Sequence, residues 1–522
     1  MGIPSYFSYI VKNYSNIIKN ISYFYDVNNK IDHLYMDCNS IIYDAVHNIK
    51  NENVDDYEDI IIKYVINKLL DYINIIKPEK TVYITFDGVA PFAKMNQQRT
   101  RRYKNMFINK VNKNETHWNT SNITPGTKFM NKLTNMISTQ IKIWNRDMKI
   151  KILFSGSDEN GEGEHKLFQE LRVSDYVNDN VAVYGLDSDL LMLSIFHLQY
   201  CKNIYVFRET PEFCKTTIPR SLINKDDIFC FMDIQSFVET IQENMGCTYS
   251  HIRRTYDYIF ICFFLGNDFL PHFPSLNIRT NGIQVLLDVY KLHIGNFEDK
   301  YLITEKYQLN WKNIKLFIKE LAKIEHELII QEYKLRHKFE NFKHKDDKEY
   351  FHNLPIIYRN IEKYICPNES KWEERYYTSI FHKKRDEQTI KEISNNYLQG
   401  LEWVFKYYTN GCLDWKWSYN YHYPPLLVDM CKYVSDFDME YFQEINDESY
   451  NSIIQLAYVL PKENLFLLPD NICKYLLTNY SHLYPEQYDF MMAYCRYFWE
   501  THPVLPNISK ELMNKWEKEL IS

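Results

Sequence analysis

Residues 81–87 read Thr-Val-Tyr-Ile-Thr-Phe-Asp, a short apolar run that ends at a carboxylate. Similar apolar runs occupy 34–36, 151–154 and 181–184. Between the first two runs in the chain, residues 58–77 place apolar side chains at helical spacing. Short strands that alternate with amphipathic helices are typical of a mainly parallel sheet flanked by helices. We therefore predict an α/β fold whose ligand site lies at the carboxyl ends of the strands.

The pattern divides the chain into three parts. Residues 1–290 carry the strand–helix alternation, and residues 291–370 change to long, charged helical sequence. Residues 371–522 are rich in Trp and Tyr, with helices punctuated by Pro. The sequence shows no internal repeat and no long low-complexity linker. We expect the first and third parts to pack as one body, with the middle part as an exposed helical insertion.

Composition narrows the class of protein. The chain has 522 residues, of which 45% are hydrophobic and 25% charged, which is typical of a globular protein and excludes global disorder. The net charge is −7, so any site for a polyanion must be local. The 11 Cys include no CxxC pair, which argues against a disulfide framework and a Cys-type zinc site. Charged and polar residues interrupt the longest apolar stretches well short of the roughly 20 residues that span a bilayer. We expect a soluble, intracellular protein with no membrane partner.

Carboxylates recur at the ends of the apolar runs and in turns that contain Gly. A single acid at such a place is usually a turn former or a helix N-cap. Seven of them together would repel one another unless divalent cations neutralised them, and Mg²⁺ prefers carboxylate oxygens. Two such ions can activate a water and stabilise the leaving oxygen in phosphodiester hydrolysis. The pattern predicts a metal-dependent nuclease. The seven acids are Asp37, Asp87, Glu162, Glu164, Asp187, Asp189 and Asp268.

A basic stretch begins directly after Asp87. Residues 88–114 contain no Asp or Glu but seven Lys and Arg residues. Most charge runs are solvated helix faces, yet one sign of charge in a net-acidic chain favours a phosphate-binding role. Lys and Arg side chains, together with Gln98, suit a cradle for a terminal phosphate.

Aromatic side chains are concentrated in the third part of the chain. Trp403 and the alternating segment 415–423 could form core or could stack on unpaired bases, and the sequence favours neither strongly. Trp415 and Trp417 are the candidate stacking platforms.

Ten short blocks carry a family resemblance: residues 1–4, 37–40, 86–102, 123–127, 161–166, 185–190, 266–271, 400–404, 415–417 and 421–424. In this order they resemble the XRN family of 5′→3′ exoribonucleases, over nearly the whole chain. The resemblance implies a PIN-like nuclease core with a largely helical, aromatic-rich second conserved region. It also implies two Mg²⁺ ions, for which Mn²⁺ would substitute. The implied activity is processive hydrolysis of 5′-monophosphorylated single-stranded RNA to nucleoside 5′-monophosphates, in RNA and mRNA degradation.

The resemblance also assigns residues. The seven acids become metal ligands and catalytic residues, and Lys94, Gln98, Arg101 and Arg102 become the pocket for the 5′ phosphate. Tyr43 stands where the family usually has a base-stacking His, with Trp415 or Trp417 as a second stacking residue. The domain assignment is a nuclease domain in 1–290, a charged helical insertion in 291–370 and the second conserved region in 371–522.

The chain also departs from the family pattern. Phe92 replaces a common basic residue, and the segment after Arg102 is too short for a full helical tower. It carries neither a Cys-rich zinc knuckle nor a long C-terminal extension. These features suggest a minimal, cytoplasmic-type catalytic body that is monomeric and could work with the decapping machinery.

Two alternatives remain open. A flap endonuclease-like enzyme would share the Met-Gly-Ile start, the acids and the sheet, but would act on branched DNA and would usually lack the second conserved block. An inactive RNA-binding scaffold on a dead nuclease fold would be at odds with the retention of all seven carboxylates.

Overall fold

A computed structural model describes residues 2–26, 29–49, 56–112, 118–219, 222, 228–437, 439–442 and 447–521. Within these residues, seven strands form one sheet in the order β1-β7-β6-β5-β2-β3-β4. The pairs β2–β3, β2–β5, β3–β4 and β5–β6 are parallel, whereas β7 runs antiparallel to β6 and β1. The strands are β1 Ile18–Lys19, β2 His33–Asp37, β3 Thr81–Thr85, β4 Lys151–Ser155, β5 Tyr176–Tyr184, β6 Cys201–Glu209 and β7 Phe229–Asp233, and a separate pair is formed by β8 Phe490–Met491 and β9 His502–Pro503.

Helices cover both faces of this sheet and make up most of the rest of the described chain. The first eleven are α1 Tyr6–Asn13, α2 Asn39–Asn48, α3 Tyr57–Ile76, α4 Phe92–Asn112, α5 Lys128–Asp147, α6 Gly163–Val173, α7 Asp189–His197, α8 Glu212–Thr217, α9 Ile234–Met245, α10 Ile252–Cys262 and α11 Gly282–Tyr290. The remainder are α12 Trp311–Phe339, α13 Asp347–His352, α14 Leu354–Ile357, α15 Asn360–Ile365, α16 Trp372–Ile380, α17 Glu387–Thr409, α18 Leu427–Met430, α19 Ser452–Val459, α20 Asp470–Tyr480 and α21 Lys510–Leu520.

The central strands are buried on both faces because their side chains alternate between two cores. In β2, Leu34 and Met36 enter the core that contains α3, whereas Tyr35 enters the core that contains α7 and α9. Continuous apolar strands are expected in a parallel sheet covered by helices. The predicted α/β class is confirmed, and the fold is consistent with a PIN-like nuclease core.

The middle part of the chain is more deeply packed than the sequence suggested. Trp311 and Phe317 of α12 are buried in the same core as residues of α10 and α17, and the ring of Phe317 meets Phe264 edge-on with centroids 5.7 Å apart. The expectation of an exposed insertion is therefore wrong for α12. Apart from the buried Glu325, Glu332 and Arg336, its charged residues lie on the outer face of an amphipathic helix, while its apolar residues recur at helical spacing on the inner face. The boundaries of the three parts remain a prediction.

No helix among the described residues is both long enough and apolar enough to cross a membrane.

A buried charge network joins α12 to the C-terminal segment. The Glu362 carboxylate accepts hydrogen bonds from Arg336 Nε at 2.9 Å and Arg359 Nε at 2.6 Å. The same carboxylate accepts the backbone N–H of Tyr494 at 2.8 Å. All three charged side chains are buried, so each relies on the others for the interactions that water would otherwise supply.

We predict that Glu362→Gln lowers the free energy of unfolding by about 3–5 kcal/mol, because two guanidinium groups would lose their buried counter-charge. Urea unfolding followed by circular dichroism would measure the change. The matched control is Glu486→Gln, which removes a carboxylate from an exposed ion pair with Lys462 and should leave the unfolding curve unchanged. An equal effect of the two substitutions would contradict the structural role of Glu362.

Candidate active site

The seven predicted carboxylates converge at the carboxyl edge of the sheet. Asp37 ends β2, Asp87 follows β3 and Asp187 follows β5, and these three strands are neighbours. Glu162 and Glu164 flank the start of α6, Asp189 begins α7, and Asp268 lies in the loop after α10. Burial and the charges of other acids in the set raise the pKa values of Asp37, Glu164 and Asp189. We call these seven side chains the carboxylate cluster.

The first residues of α2 and α6 hold Asp87 in place through hydrogen bonds. Its backbone N–H donates to Asn39 Oδ1 at 3.1 Å, and the Asn39 amide donates back to the Asp87 carboxylate. The Gly163 N–H donates to Asp87 Oδ1 at 2.6 Å. A Cβ at position 163 would lie 2.4 Å from Asp37 Oδ1, so only glycine allows this close approach. Asn39 lies in the block 37–40, in which only Asp37 had a predicted role.

Lys94 lies inside the carboxylate cluster. Its Nζ is 2.5 Å from Glu162 Oε2 and 2.7 Å from Asp268 Oδ2. Although burial favours the neutral acid, Lys94 helps to lower the pKa of Asp268 to about 2. Lys94 therefore neutralises part of the cluster at the place where the sequence predicted a contact with phosphate.

Other members of the cluster hold their charge less readily. Burial, reinforced by Asp87 and Asp187, raises the pKa of Asp37 well above its usual range. Burial, together with Asp268 and Asp187, raises the pKa of Asp189 to about 7. Desolvation and like-charge repulsion both favour protonation, so the cluster needs further positive charge to stay ionised at neutral pH.

The donor set fits a hard divalent cation. Within the described residues, Asp37 Oδ1, Glu164 Oε2 and Asp189 Oδ1 are buried and have no hydrogen-bond partner. Such oxygens are costly unless something satisfies them, and Mg²⁺ takes oxygen ligands of this kind. Glu162, Glu164 and His165 also place one ligand atom each within 4.8 Å of one another. His165 was not predicted as a ligand.

Helix α17, from the third part of the chain, contacts the carboxylate cluster through Tyr407. The Tyr407 hydroxyl donates to Glu162 Oε1 at 2.8 Å, and its ring stacks on His165 with centroids 3.6 Å apart. On its other side, Trp403 stacks on Tyr407 at 4.7 Å and Trp417 stacks on Trp403 at 5.1 Å. Tyr407 was not predicted as a site residue, because no sequence motif marks a contact between residues 245 positions apart.

The positions of Trp415 and Trp417, the two candidate stacking residues, do not favour stacking on an RNA base. Trp417 is buried against Trp403 and presents no free face for a base, so the structure contradicts that prediction. Trp415 is half-buried and lines a cavity of about 980 Å³ whose walls include Asp158, Asp447 and Glu448. Acidic walls repel a phosphate backbone, and this disfavours a role for Trp415 in stacking on RNA.

The predicted phosphate pocket is only partly shared with the carboxylate cluster. Gln98 Oε1 accepts from Gln455 Nε2 at 3.2 Å, so α19 holds this side chain in place. Arg102 donates to Thr124 Oγ1 at 2.5 Å, and burial lowers its pKa to about 10. Arg101 is half-buried and lines a second, larger cavity.

Tyr43 and Phe92 differ in their surroundings. Tyr43, on α2, is 41% exposed, and its hydroxyl lies close enough to Arg102 to influence the pKa of that guanidinium. A base could therefore reach its ring. Phe92 is buried against Tyr450 and Tyr458, where it packs α4 against the third part of the chain.

Family models match nearly the whole chain. Residues 1–210 match the model described as XRN 5′-3′ exonuclease N-terminus, and residues 249–365 and 360–520 match the Xrn1 helical domain. The chain belongs to the XRN family of 5′→3′ exonucleases, which confirms the predicted resemblance.

Three relatives show the extent of the similarity. The chain is 25% identical to 5′-3′ exoribonuclease 1 of Schizosaccharomyces pombe, over 98% of this chain and 48% of the relative. It is 24% identical to the 5′-3′ exoribonuclease 2 homolog of Drosophila melanogaster, over 99% of this chain and 70% of the relative. For the human 5′-3′ exoribonuclease 1 the identity is 26%, over 98% and 34%. The chain thus spans about half the length of the fission yeast relative and a third of the human one.

We predict that Tyr407→Phe weakens Mg²⁺ binding by about 10- to 100-fold, because Glu162 would lose the hydrogen bond that orients it. Isothermal titration calorimetry would give the affinity without reference to activity. The matched control is Tyr397→Phe, on the same helix, which removes a buried hydroxyl that donates to Pro271 O at 2.9 Å. Equal Mg²⁺ affinities in the two variants would contradict the positioning role of Tyr407.

Proposed function

We propose that this protein is a metal-dependent 5′→3′ exoribonuclease that processively hydrolyses 5′-monophosphorylated single-stranded RNA to nucleoside 5′-monophosphates. The observation that carries the proposal is the buried carboxylate cluster at the strand ends, in a chain of the XRN family. Curated relatives named 5′-3′ exoribonuclease support the same activity.

The carboxylate cluster would hold two Mg²⁺ ions, with Mn²⁺ as a substitute. Bound there, these ions would supply a polarised water and stabilise the leaving oxygen of a phosphodiester. The protein's own contribution is to fix the ligands. Asn39 and the Gly163 N–H hold Asp87, Tyr407 holds Glu162, and Lys94 limits repulsion in the cluster.

The same helix that carries Lys94 would read the end of the RNA. Gln98, Arg101 and Arg102 follow at intervals of four, three and one residues, which places them on one side of α4 with Lys94. We propose that these side chains bind the 5′ phosphate and that Tyr43 stacks on the first base. The helix starts beside the carboxylate cluster, so a phosphate held on it would leave the next phosphodiester near the proposed ions.

The remaining assignments concern cellular context. We propose a monomer that acts in the cytoplasm in mRNA degradation, with the decapping machinery as a candidate partner. A flap endonuclease-like activity is disfavoured by the match of residues 249–520 to the Xrn1 helical domain.

We predict that Asp187→Ala reduces turnover of 5′-monophosphorylated RNA by about 10³-fold or more while RNA binding persists, because the change removes stabilisation specific to the transition state. EDTA should abolish wild-type activity, and Mg²⁺ or Mn²⁺ should restore it. End-labelled RNA resolved on gels would measure both effects.

The matched control is Asp179→Ala on β5, whose carboxylate pairs with Lys80 and His33 away from the cluster. This variant should degrade RNA normally. A wild-type protein that binds RNA but never cleaves it in Mg²⁺ would favour the inactive-scaffold alternative, and full activity in EDTA would refute the metal mechanism.

We predict that the wild type degrades RNA with a 5′ monophosphate in preference to RNA with a hydroxyl, triphosphate or cap. Arg101→Ala should reduce the preference for monophosphate over hydroxyl by about tenfold or more, because a charge-assisted hydrogen bond to the phosphate is lost. Lys110→Ala, on the same helix but in an exposed pair with Glu463, is the control and should retain the preference. Equal degradation of all four ends by the wild type would refute the pocket.

A further inference from the structure

A cavity of about 1350 Å³ lies between α4, the loop that carries Asp268, and the third part of the chain. Its lining includes Asp268, which is buried in the carboxylate cluster, and Trp499, which is 47% exposed at the surface. The cavity therefore connects the candidate active site with solvent. Its volume exceeds that of a typical small-ligand pocket, so a mononucleotide has ample room.

Three imidazoles form part of the cavity wall. His272 follows the Asp268 loop, and His422 stacks on His502 with ring centroids 4.8 Å apart. No hydrogen bond joins a ring nitrogen of these three histidines to another residue that the structure describes. His422 is exposed to solvent, yet its enclosure by surrounding protein and the charge of Lys104 lower its pKa to about 4. A neutral imidazole offers one N–H donor and one acceptor, and both are available to a ligand in the cavity.

Cationic groups surround these imidazoles. Arg101 lines the cavity next to the candidate site. Lys104 donates to Thr501 O at 2.9 Å, and Arg279 pairs with Glu500 at 2.6 Å. The lining carries five Lys and Arg side chains against three acidic ones, a small positive excess in a chain whose net charge is −7. An anion that carries hydrogen-bond acceptors suits such a wall.

The cavity is separate from most of the residues proposed to hold the RNA. Of those residues, Arg101 and Asp268 line it, whereas Lys94, Gln98, Arg102 and Tyr43 are not part of its described lining. A processive exonuclease must release one mononucleotide per cut while the shortened strand stays bound. If the strand fills its own binding surface, the product needs a second way out.

We propose that this cavity is a product chamber, which binds the nucleoside 5′-monophosphate after cleavage and passes it to solvent while RNA remains bound. The inference rests on the proposed exonuclease function. Arg101 lies where the product phosphate is released, and the N–H groups of His272, His422 and His502 then offer the phosphate successive donors. Trp499 stacks on Tyr497 with ring centroids 4.2 Å apart, but the residue is 47% exposed, so part of its ring is open to stack on the base.

The test is calorimetric titration of adenosine 5′-monophosphate into the Asp187→Ala protein saturated with 5′-monophosphorylated RNA. The chamber predicts one equivalent of nucleotide bound to the RNA-loaded protein. Combined substitution of His422→Ala and His502→Ala should weaken this binding by about tenfold or more with RNA affinity unchanged. His482→Ala, an exposed histidine outside the cavity lining, is the matched control.

Further measurements distinguish the chamber from the other possible results of this titration. If RNA displaces the nucleotide, both occupy one site and the chamber is refuted. Adenosine without phosphate should bind much more weakly, and equal binding would refute recognition of the phosphate. If the double variant unfolds, His272→Ala provides an independent test with the same expected direction.

Kinetics of the wild type give a second measurement. If the chamber exists, inhibition by adenosine 5′-monophosphate should include a non-competitive component with respect to RNA, because the nucleotide also binds the RNA-loaded enzyme. Purely competitive inhibition, which the 5′-phosphate pocket alone would give, would overturn the chamber. Failure of the proposed function can be told apart from failure of the chamber. A protein that is not an exoribonuclease would cleave no RNA in Mg²⁺, whether or not nucleotide binds to the RNA-loaded protein.

Discussion

Repulsion among seven carboxylates at one edge of a sheet is the constraint on which this structure depends. Burial makes each of these charges costly, and proximity adds to the cost. Much of the local architecture reduces that cost. Lys94 pairs with Glu162 and Asp268. Tyr407 donates a second interaction to the same Glu162, and Asn39 donates a hydrogen bond to Asp87. The remaining buried oxygens without partners are the physical reason to expect cations there.

The same constraint explains why the first and third parts of the chain form one body. Helix α4 carries Lys94 and must be held against the cluster. The third part supplies this restraint, since Arg99 donates to Pro506 O at 2.9 Å and Lys104 donates to Thr501 O at 2.9 Å. The Gln455 side chain accepts the Ala90 N–H at 3.1 Å at the start of the helix. Arg99 and Lys104, which belong to the basic stretch 88–114, thus hold α4 against the third part of the chain.

The sequence predicted those features that depend on local pattern. Apolar runs that end at Asp37 and Asp87 gave the strands and placed their carboxylates at one edge, because parallel strands align their carboxyl ends. Features that depend on distant contacts were predicted poorly. Because residues 312–342 are rich in charge, the buried face of α12 was not predicted. The alternating aromatic pattern around Trp417 did not show that the ring of Trp403 covers the ring of Trp417. The hydrogen bond from Tyr407 to Glu162 had no local signal at all.

The most direct measurement is a crystal structure of the protein soaked in Mn²⁺, with anomalous scattering used to locate the ions. Our account predicts two anomalous peaks in contact with the carboxylate cluster, one of them touching the oxygens of Asp37 or Asp189 that have no hydrogen-bond partner among the described residues. A well-ordered cluster with no Mn²⁺ bound, or Mn²⁺ bound only elsewhere on the protein, would contradict it.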